Sequence, residues 1–151
     1  MPRTRFRAKE QRASYTLPRV LVDSCILIDV IDSDSDWVVW SRAKLGPLIE
    51  QQRAVINPII FAEIAAGFAS PQALEAGIAP LRLLREPLPW EAAFLASQAF
   101  QLYRKRRGAK RSPLPDFYIG AHAATAGYVL LTRDAARYKT YYPRLPLIVP
   151  E

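Results

Sequence analysis

The chain alternates short apolar runs with longer amphipathic segments, and this alternation constrains its fold more than any other feature. The runs VLV at 20–22, AVI at 54–56 and YVLL at 128–131 are rich in β-branched or aromatic residues, and helical patterns follow them. Strands that alternate with helices are typical of α/β domains, in which helices cover a mostly parallel sheet. We therefore predict an α/β fold with a central, mostly parallel sheet flanked by helices.

Caps and turn residues predict where these elements begin and end. Asn57 followed by Pro58 is typical of a helix start, whereas Gly108 and Gly127 are typical of helix ends. Pro87 makes its strand an edge candidate, because proline cannot donate to a neighbouring strand. The predicted strands lie at 20–22, 54–56, 83–88, 128–131 and 145–149. The predicted helices lie at 36–51, 58–67, 70–79, 90–107 and 116–126, with a helical turn at 134–138.

Four acidic residues stand where these elements begin or end, or inside an apolar helix. Asp23 closes one strand, Asp134 follows another, Asp116 opens a helix, and Glu63 interrupts the apolar segment IIFAEIAA. Any single acid at such a place is commonly a cap or turn former, so only their joint occurrence is informative. Open parallel sheets bind ligands at the carboxyl ends of their strands, and several carboxylates converging there require a cation.

The donor types indicate which cation this would be. Mg²⁺ and Mn²⁺ prefer carboxylate and water oxygens, whereas zinc favours cysteine and histidine. The chain has one cysteine and one histidine, so a site of acids predicts Mg²⁺ or Mn²⁺. Such an ion can bind a phosphodiester and activate water for in-line displacement, and the sequence therefore predicts phosphate chemistry.

Three segments resemble the PIN-domain ribonucleases, and more narrowly the VapC-like toxins of toxin–antitoxin pairs. These segments are LVDSCILIDVI, VINPIIFAEI and LPDFYIGAHAATAGYVLLTRD, and the resemblance covers about 20–149. It implies a three-layer PIN-like fold with an apolar helix directly after Asp23. The family often has threonine after its first acid, where this chain keeps a hydroxyl in Ser24. By the resemblance, the catalytic set is Asp23, Glu63, Asp116 and Asp134, with Ser24 and Thr132 as supporting hydroxyls.

The resemblance also implies an activity and its partners. The activity is a metal-dependent endoribonuclease that halts translation by cutting transfer, ribosomal or messenger RNA. We expect Asp23 and Asp116 as principal metal ligands, Asp134 as a second or water-mediated ligand, and Glu63 as a ligand or as the group orienting the nucleophilic water. Implied partners are a VapB-like antitoxin, which docks among the early helices, and a second copy of the chain. DNA would be contacted only through the antitoxin. The alternative is a PIN-like module that binds RNA or protein without cutting.

A cluster of basic residues leads into Asp116, and we interpret it as an RNA-binding segment. Cations at a helix C-terminus also satisfy the helix dipole, but that does not explain why the cluster continues past Gly108. Arg133, beside Asp134, either pairs with the acids or reaches a scissile phosphate. The predicted RNA-binding residues are Arg104, Arg106, Arg107, Lys110, Arg111 and Arg133.

Charge and composition divide the chain into an extension and one domain. Residues 1–19 hold six basic side chains and one acidic side chain, and they contribute +5 to the net charge of +7. We predict a flexible basic extension at 1–19 and a single nuclease domain at 20–151. The lone Cys25 excludes a disulfide scaffold, and no apolar stretch reaches the roughly 18–20 residues that span a bilayer. We therefore expect a cytoplasmic protein without a membrane partner.

Four other residues stand out. His122, six residues after Asp116, is interpreted as a packed histidine rather than a catalytic base, and Cys25 as a buried thiol. Asp29 is interpreted as exposed or capping rather than as an acid supporting the site. Trp37 belongs to an apolar surface on the helix at 36–51 that is wider than one core face requires.

Overall fold

The computed structural model describes residues 17–110 and 114–151. Its strands are β1 Val20–Val22, β2 Ala54–Ile56, β3 Leu84–Arg85, β4 Val129–Leu131 and β5 Leu147–Ile148. The α-helices in the described ranges are α1 Ser24–Ile31, α2 Val38–Glu50, α3 Pro58–Ala65, α4 Pro71–Ile78, α5 Trp90–Lys105, α6 Pro115–Ala126 and α7 Ala136–Tyr141. A short 3₁₀ turn at Ala79–Leu81 follows α4. No helix within these two ranges has both the length and the apolar character to cross a membrane.

The five strands form one sheet in the order β3-β2-β1-β4-β5, and every neighbouring pair is parallel. The seven helices flank this sheet. The predicted α/β fold with a central parallel sheet is therefore confirmed. Strands β1 and β2 are buried along their whole length, as expected for a parallel sheet covered on both faces.

The strand order creates a crevice at the carboxyl ends of β1 and β4. From β1 the chain passes to β2 on one side, whereas from β4 it passes to β5 on the other side. Such a reversal is the place where open α/β sheets bind ligands. The register pairs Val22 with Leu131, and the backbone N–H of Asp23 donates to the Leu131 carbonyl at 2.9 Å. The residues that follow β1 and β4 therefore meet at this crevice.

Local capping explains the ends of the helices that carry the site. The Asn57 side chain accepts a hydrogen bond from the Ile60 N–H at 3.0 Å, and Pro58 occupies the first turn of α3. Gly127 ends α6 with φ 71, a left-handed conformation that glycine adopts at little cost. Both boundaries agree with the sequence prediction.

Several helix boundaries differ from the prediction by one to three residues, among them the end of α5 and the start of α2. Helix α5 ends at Lys105, and Arg107 rather than Gly108 takes the left-handed conformation, with φ 66. A Cβ on Gly108 would collide with the Tyr103 ring, so the close approach of this ring, and not a left-handed φ, favours glycine there. Helix α2 begins at Val38 rather than at residue 36, because the Ser35 hydroxyl accepts a hydrogen bond from the Trp37 N–H just before the helix.

The basic extension predicted at 1–19 lies mostly outside the described residues, since only 17–19 are described. Arg19 is joined to the domain, because its carbonyl accepts a hydrogen bond from the Val129 N–H and its guanidinium pairs with Glu86 at 2.6 Å. The boundary between extension and domain stays a prediction.

Candidate active site

Asp23 follows β1 directly and caps α1. Its side chain is almost fully buried, with 5% exposed. One carboxylate oxygen accepts the Ser24 N–H at 2.8 Å. The other accepts the Thr132 hydroxyl at 2.7 Å and the Tyr138 hydroxyl at 3.1 Å. Because Thr132 follows β4, these bonds join the ends of the two strands that form the crevice.

Asp116 lies in the first turn of α6 and faces Asp23 across the Tyr138 phenol. The Tyr138 oxygen lies 3.4 Å from Asp116 Oδ1 and 3.1 Å from Asp23 Oδ2. A phenol has one proton, so the shorter bond to Asp23 is the better donor geometry. Arg137 Nη1 lies 3.3 Å from Asp116 Oδ2. Helix α7 thus supplies two side chains that contact the predicted metal ligands.

Glu63 and Asp134 border the same crevice. The Ser24 hydroxyl donates to Glu63 Oε1 at 3.2 Å, which ties α3 to the start of α1. Asp134 is exposed, and its backbone N–H donates to the Thr132 hydroxyl at 3.1 Å. The four predicted acids and the two predicted hydroxyls are therefore brought to one edge of the sheet.

The charges of these acids oppose one another. Burial raises the pKa of Asp23, hydrogen bonds from Thr132, Tyr138 and the Ser24 backbone partly offset this, and the charge of Asp134 raises the pKa further. Burial and the charges of Asp23 and Asp116 raise the pKa of Glu63.

The pKa of Asp116 is raised for similar reasons. Burial raises the pKa of Asp116, and so does the charge of Asp23, while Arg137 opposes both. The negative charges of Asp23, Glu63 and Asp116 at neutral pH are thus electrostatically unfavourable, and a bound cation would relieve this.

The donor chemistry at this edge fits Mg²⁺ or Mn²⁺. The crevice offers carboxylate and hydroxyl oxygens, which these hard cations prefer. As arranged in the described part of the chain, no three side chains of the types His, Cys, Asp and Glu form a ready-made metal-binding group. The burial of Asp23, Glu63 and Asp116 so close together, where their charges also oppose one another, is what favours a cation at this edge.

Sequence reasoning missed Tyr138 and Arg137. Their only sequence signal is the segment AARY directly after Thr132-Arg133-Asp134, which predicted a helical turn without indicating its direction. The packing of α7 against α6 brings them to Asp116. The burial of Tyr138 and the charges of Asp23 and Asp116 raise the pKa of its phenol far above the ordinary value, so it stays protonated and can donate.

Asp29 was predicted to be exposed or a helix cap, and this prediction is wrong. Only 2% of it is exposed. Arg133 holds it in two contacts, Nε to Oδ2 at 2.6 Å and Nη2 to Oδ1 at 3.0 Å. The hydroxyls of Ser35 and Ser41 also donate to it, each at 2.7 Å. Burial alone would raise the pKa of Asp29, but these hydrogen bonds outweigh it and lower the pKa.

Four of the predicted RNA-binding residues lie at or just after the end of α5, whereas Arg133 pairs with Asp29. Arg104, Arg106, Arg107 and Lys110 are exposed, and Arg111 lies outside the described residues. The Arg104 guanidinium donates to the Lys110 carbonyl at 2.7 Å, which folds the segment back on the helix. This segment leads into α6, whose first turn carries Asp116.

His122 is buried, with 1% exposed, as the sequence predicted. The Asn57 amide lies 3.0 Å from its Nδ1, and its Nε2 lies 3.5 Å from Glu86 without a hydrogen-bond partner. Burial lowers the pKa of His122, so the neutral ring is favoured. Cys25 is only partly buried, and its Sγ lies 3.8 Å from the Thr132 hydroxyl.

The fold and its acidic edge define an α/β domain with a carboxylate-lined crevice. A family model described as "PIN domain" matches residues 20–141, so the chain belongs to the PIN-domain family. Membership of this family implies ribonuclease activity, and PIN nucleases generally use divalent metals. Among curated proteins, none matches the sequence.

Solved structures share the fold at low sequence identity. The chain is similar to VapBC2 from Rickettsia felis bound to a promoter DNA fragment, with 17% identity, a TM-score of 0.68, and 87% of this chain and 98% of that chain covered. It is similar to FitAcB from Neisseria gonorrhoeae, with 22% identity, a TM-score of 0.59, and coverage of 85% and 96%. It is also similar to VapC20 from Mycobacterium tuberculosis, a toxin that cleaves the sarcin-ricin loop, with 12% identity, a TM-score of 0.58, and coverage of 80% and 94%.

Proposed function

We propose that this protein is a Mg²⁺- or Mn²⁺-dependent endoribonuclease and the toxin of a toxin–antitoxin pair. The observation that carries the proposal is the set of carboxylates at the crevice formed by the carboxyl ends of β1 and β4. Burial and mutual repulsion raise the pKa values of Asp23, Glu63 and Asp116 there. A fold maintains such a destabilising cluster when a bound cation compensates it.

Each residue has a role in this proposal. Asp23 and Asp116 are the principal ligands, Asp134 is a second or water-mediated ligand, and Glu63 is a ligand or orients the attacking water. When bound, the cation polarises the phosphodiester and lowers the pKa of water. Ser24 and Thr132 hold Glu63 and Asp23 in place, since their hydroxyls donate to these carboxylates. Hydrolysis of this kind leaves a 5′-phosphate and a 3′-hydroxyl.

The exposed basic residues after α5 are proposed to contact the RNA backbone. Arg104 lies in the last turn of α5, and Arg106, Arg107 and Lys110 follow α5, before the helix that carries Asp116. Guanidinium and ammonium groups there neutralise phosphates independently of base sequence. We propose the same role for Arg111, which continues the cluster. Transfer, ribosomal and messenger RNA all present these phosphates.

The proposed partners are a VapB-like antitoxin and a second copy of the chain. Several structural neighbours are VapBC complexes, one of them bound to promoter DNA. Several large apolar side chains are exposed on the described surface and could pack against a protein partner. The most exposed of them is Trp90 on α5, at 92%. The others are Leu17, Ile28, Trp37, Val39, Phe94 and Leu102. DNA would be contacted only through the antitoxin.

The test is cleavage of total cellular RNA by purified protein with Mg²⁺ or Mn²⁺, beside an EDTA control. Asp23→Asn and Asp116→Asn are expected to abolish cleavage. Glu50→Gln is the matched control, because Glu50 is exposed at the end of α2, before β2 and so toward the opposite edge of the sheet. It is expected to leave cleavage unchanged.

The alternative function gives a different result in the same assay. Intact RNA together with retained RNA or partner binding supports a non-cutting PIN-like module. Cleavage that survives both aspartate substitutions contradicts the assigned site.

A further inference from the structure

Arg133 and Arg137 both lie beside the acidic crevice, but their contacts differ. Arg133 is held by Asp29 in a bidentate pair with contacts of 2.6 and 3.0 Å. Its Nε and Nη2 donors are therefore engaged. Turning it toward a substrate would leave Asp29 buried without its partner, which is strongly unfavourable. Arg133 therefore belongs to the scaffold of the site.

Arg137 makes a looser contact. Its Nη1 lies 3.3 Å from Asp116 Oδ2, whereas charge-assisted hydrogen bonds of this type are about 2.7–2.9 Å long. Its side chain is 33% exposed. The guanidinium lies 5.6 Å from the Phe117 ring centroid and 5.9 Å from that of Tyr103. These rings support the flat group by cation–π contact without using its N–H donors.

Arg137 also lies between the acids and the basic residues after α5. Tyr103, one of the rings beneath Arg137, belongs to α5, and its hydroxyl accepts the Lys110 N–H at 3.4 Å. Asp116, the acid that Arg137 contacts, opens the next helix. An RNA strand that runs from the basic residues to the acidic crevice would therefore pass Arg137.

We propose that Arg137 binds the substrate phosphate beside the acidic crevice, an inference that rests on the proposed ribonuclease function. In this structure its charge is directed to Asp116. A divalent cation held by Asp116 would neutralise that carboxylate and leave the guanidinium free to donate to non-bridging phosphate oxygens, which its planar fork matches. Arg137 rather than Arg133 is thus the arginine beside the acids that contacts RNA.

The first test measures RNA binding without cleavage. A fluorescein-labelled single-stranded RNA oligonucleotide is titrated by fluorescence anisotropy in Ca²⁺ buffer at a series of salt concentrations. Arg137→Gln is expected to weaken binding about five- to tenfold. It should also reduce the slope of log Kd against log salt by about 0.7, the value for one phosphate contact on a single strand.

The matched control is Arg144→Gln, which removes the same charge. Arg144 is exposed and lies before β5, toward the opposite edge of the sheet. It is expected to keep the wild-type salt slope. If both variants lose the same affinity, net charge explains the result and the proposal is wrong.

The second test measures Mn²⁺ binding by calorimetry in the absence of RNA. Arg137→Gln is expected to bind Mn²⁺ as tightly as wild type or more tightly, because a competing cation has been removed from Asp116. Loss of Mn²⁺ binding, or a wild-type salt slope with RNA, overturns the proposal. If Arg137→Gln does not fold, Arg137→Lys replaces it: because lysine keeps the charge and loses the fork, weaker RNA binding with an unchanged salt slope is then expected, and unchanged affinity overturns the proposal. If wild type binds RNA without cutting it, the ribonuclease proposal fails while the salt slope still tests Arg137.

Discussion

The pair of Asp29 and Arg133 offers the sharpest test of how the crevice is held together. It joins α1 to the loop between β4 and α7 and connects residues 104 positions apart in sequence. Asp29 is 2% exposed, whereas the Arg133 side chain is 27% exposed. Breaking a fully buried pair from one side costs about 3–5 kcal/mol. Because Arg133 is partly solvated and Ser35 and Ser41 still bond Asp29, we expect Arg133→Met to cost about 2–3 kcal/mol.

A double-mutant cycle isolates the contribution of the pair. Asp29→Asn is expected to cost less than Arg133→Met, because a partly exposed guanidinium can turn to water. The double variant should be more stable than the sum of the single effects predicts, by about 2 kcal/mol. The free energies of unfolding are measured by urea denaturation followed by circular dichroism, in EDTA.

The exposed pair of Glu75 and Arg85 is the matched control. Both side chains are half exposed, at 51% and 50%, so solvent screens their attraction. The cycle of Glu75→Gln and Arg85→Met should give a coupling energy within experimental error. A coupling energy for Asp29 and Arg133 that is as small as that of the control would refute the assignment of this pair to the scaffold.

Three further predictions concern stability. Glu63→Gln should stabilise the protein in EDTA by about 0.5 kcal/mol, because it removes a charge that the charges of Asp23 and Asp116 oppose. An unchanged or lower melting temperature in EDTA would argue against that repulsion. The raised pKa values of Asp23, Glu63 and Asp116 mean that their stabilising contribution is present below their ordinary pKa values, near 4, and is lost as pH rises through the raised values. The lowered pKa of Asp29 acts in the opposite sense, but its contribution is complete above its ordinary pKa. Melting temperatures in EDTA should therefore fall as pH rises above about 5, and Mn²⁺ should reduce the fall. Asn57→Ala removes the α3 cap and the partner of His122, so it should lower the free energy of unfolding by about 1–2 kcal/mol in urea denaturation. A loss below about 0.5 kcal/mol would mean that water replaces the cap.

Much of the architecture follows from local sequence. Strands β1 and β2 are continuous apolar runs because both faces of the sheet are covered. Asn57 and Gly127 mark helix ends because their caps are short-range. The acids after β1 and β4 meet because the carboxyl ends of parallel strands share one edge. These features depend only on the local sequence pattern and on the parallel direction of the strands.

The features that sequence did not predict depend on long-range packing. Asp29 lies in an apolar helix, and nothing local indicates that Arg133 will neutralise it. Tyr138 and Arg137 reach Asp116 only because α7 docks against α6. Arg107, rather than Gly108, adopts the left-handed conformation at the end of α5, and the local sequence does not indicate this. For Asp29, Tyr138 and Arg137, contacts between distant elements decide the outcome.

The central claim is that the carboxylates at the ends of β1 and β4 and the start of α6 hold a divalent cation. Anomalous diffraction from crystals grown with Mn²⁺ tests it most directly, since it locates the ion without reference to activity. We predict a peak coordinated by Asp23 and Asp116, with Arg137 displaced from Asp116, and its absence in crystals of Asp116→Asn. No peak at this edge, or a peak held by other residues at a saturating Mn²⁺ concentration, would contradict the account.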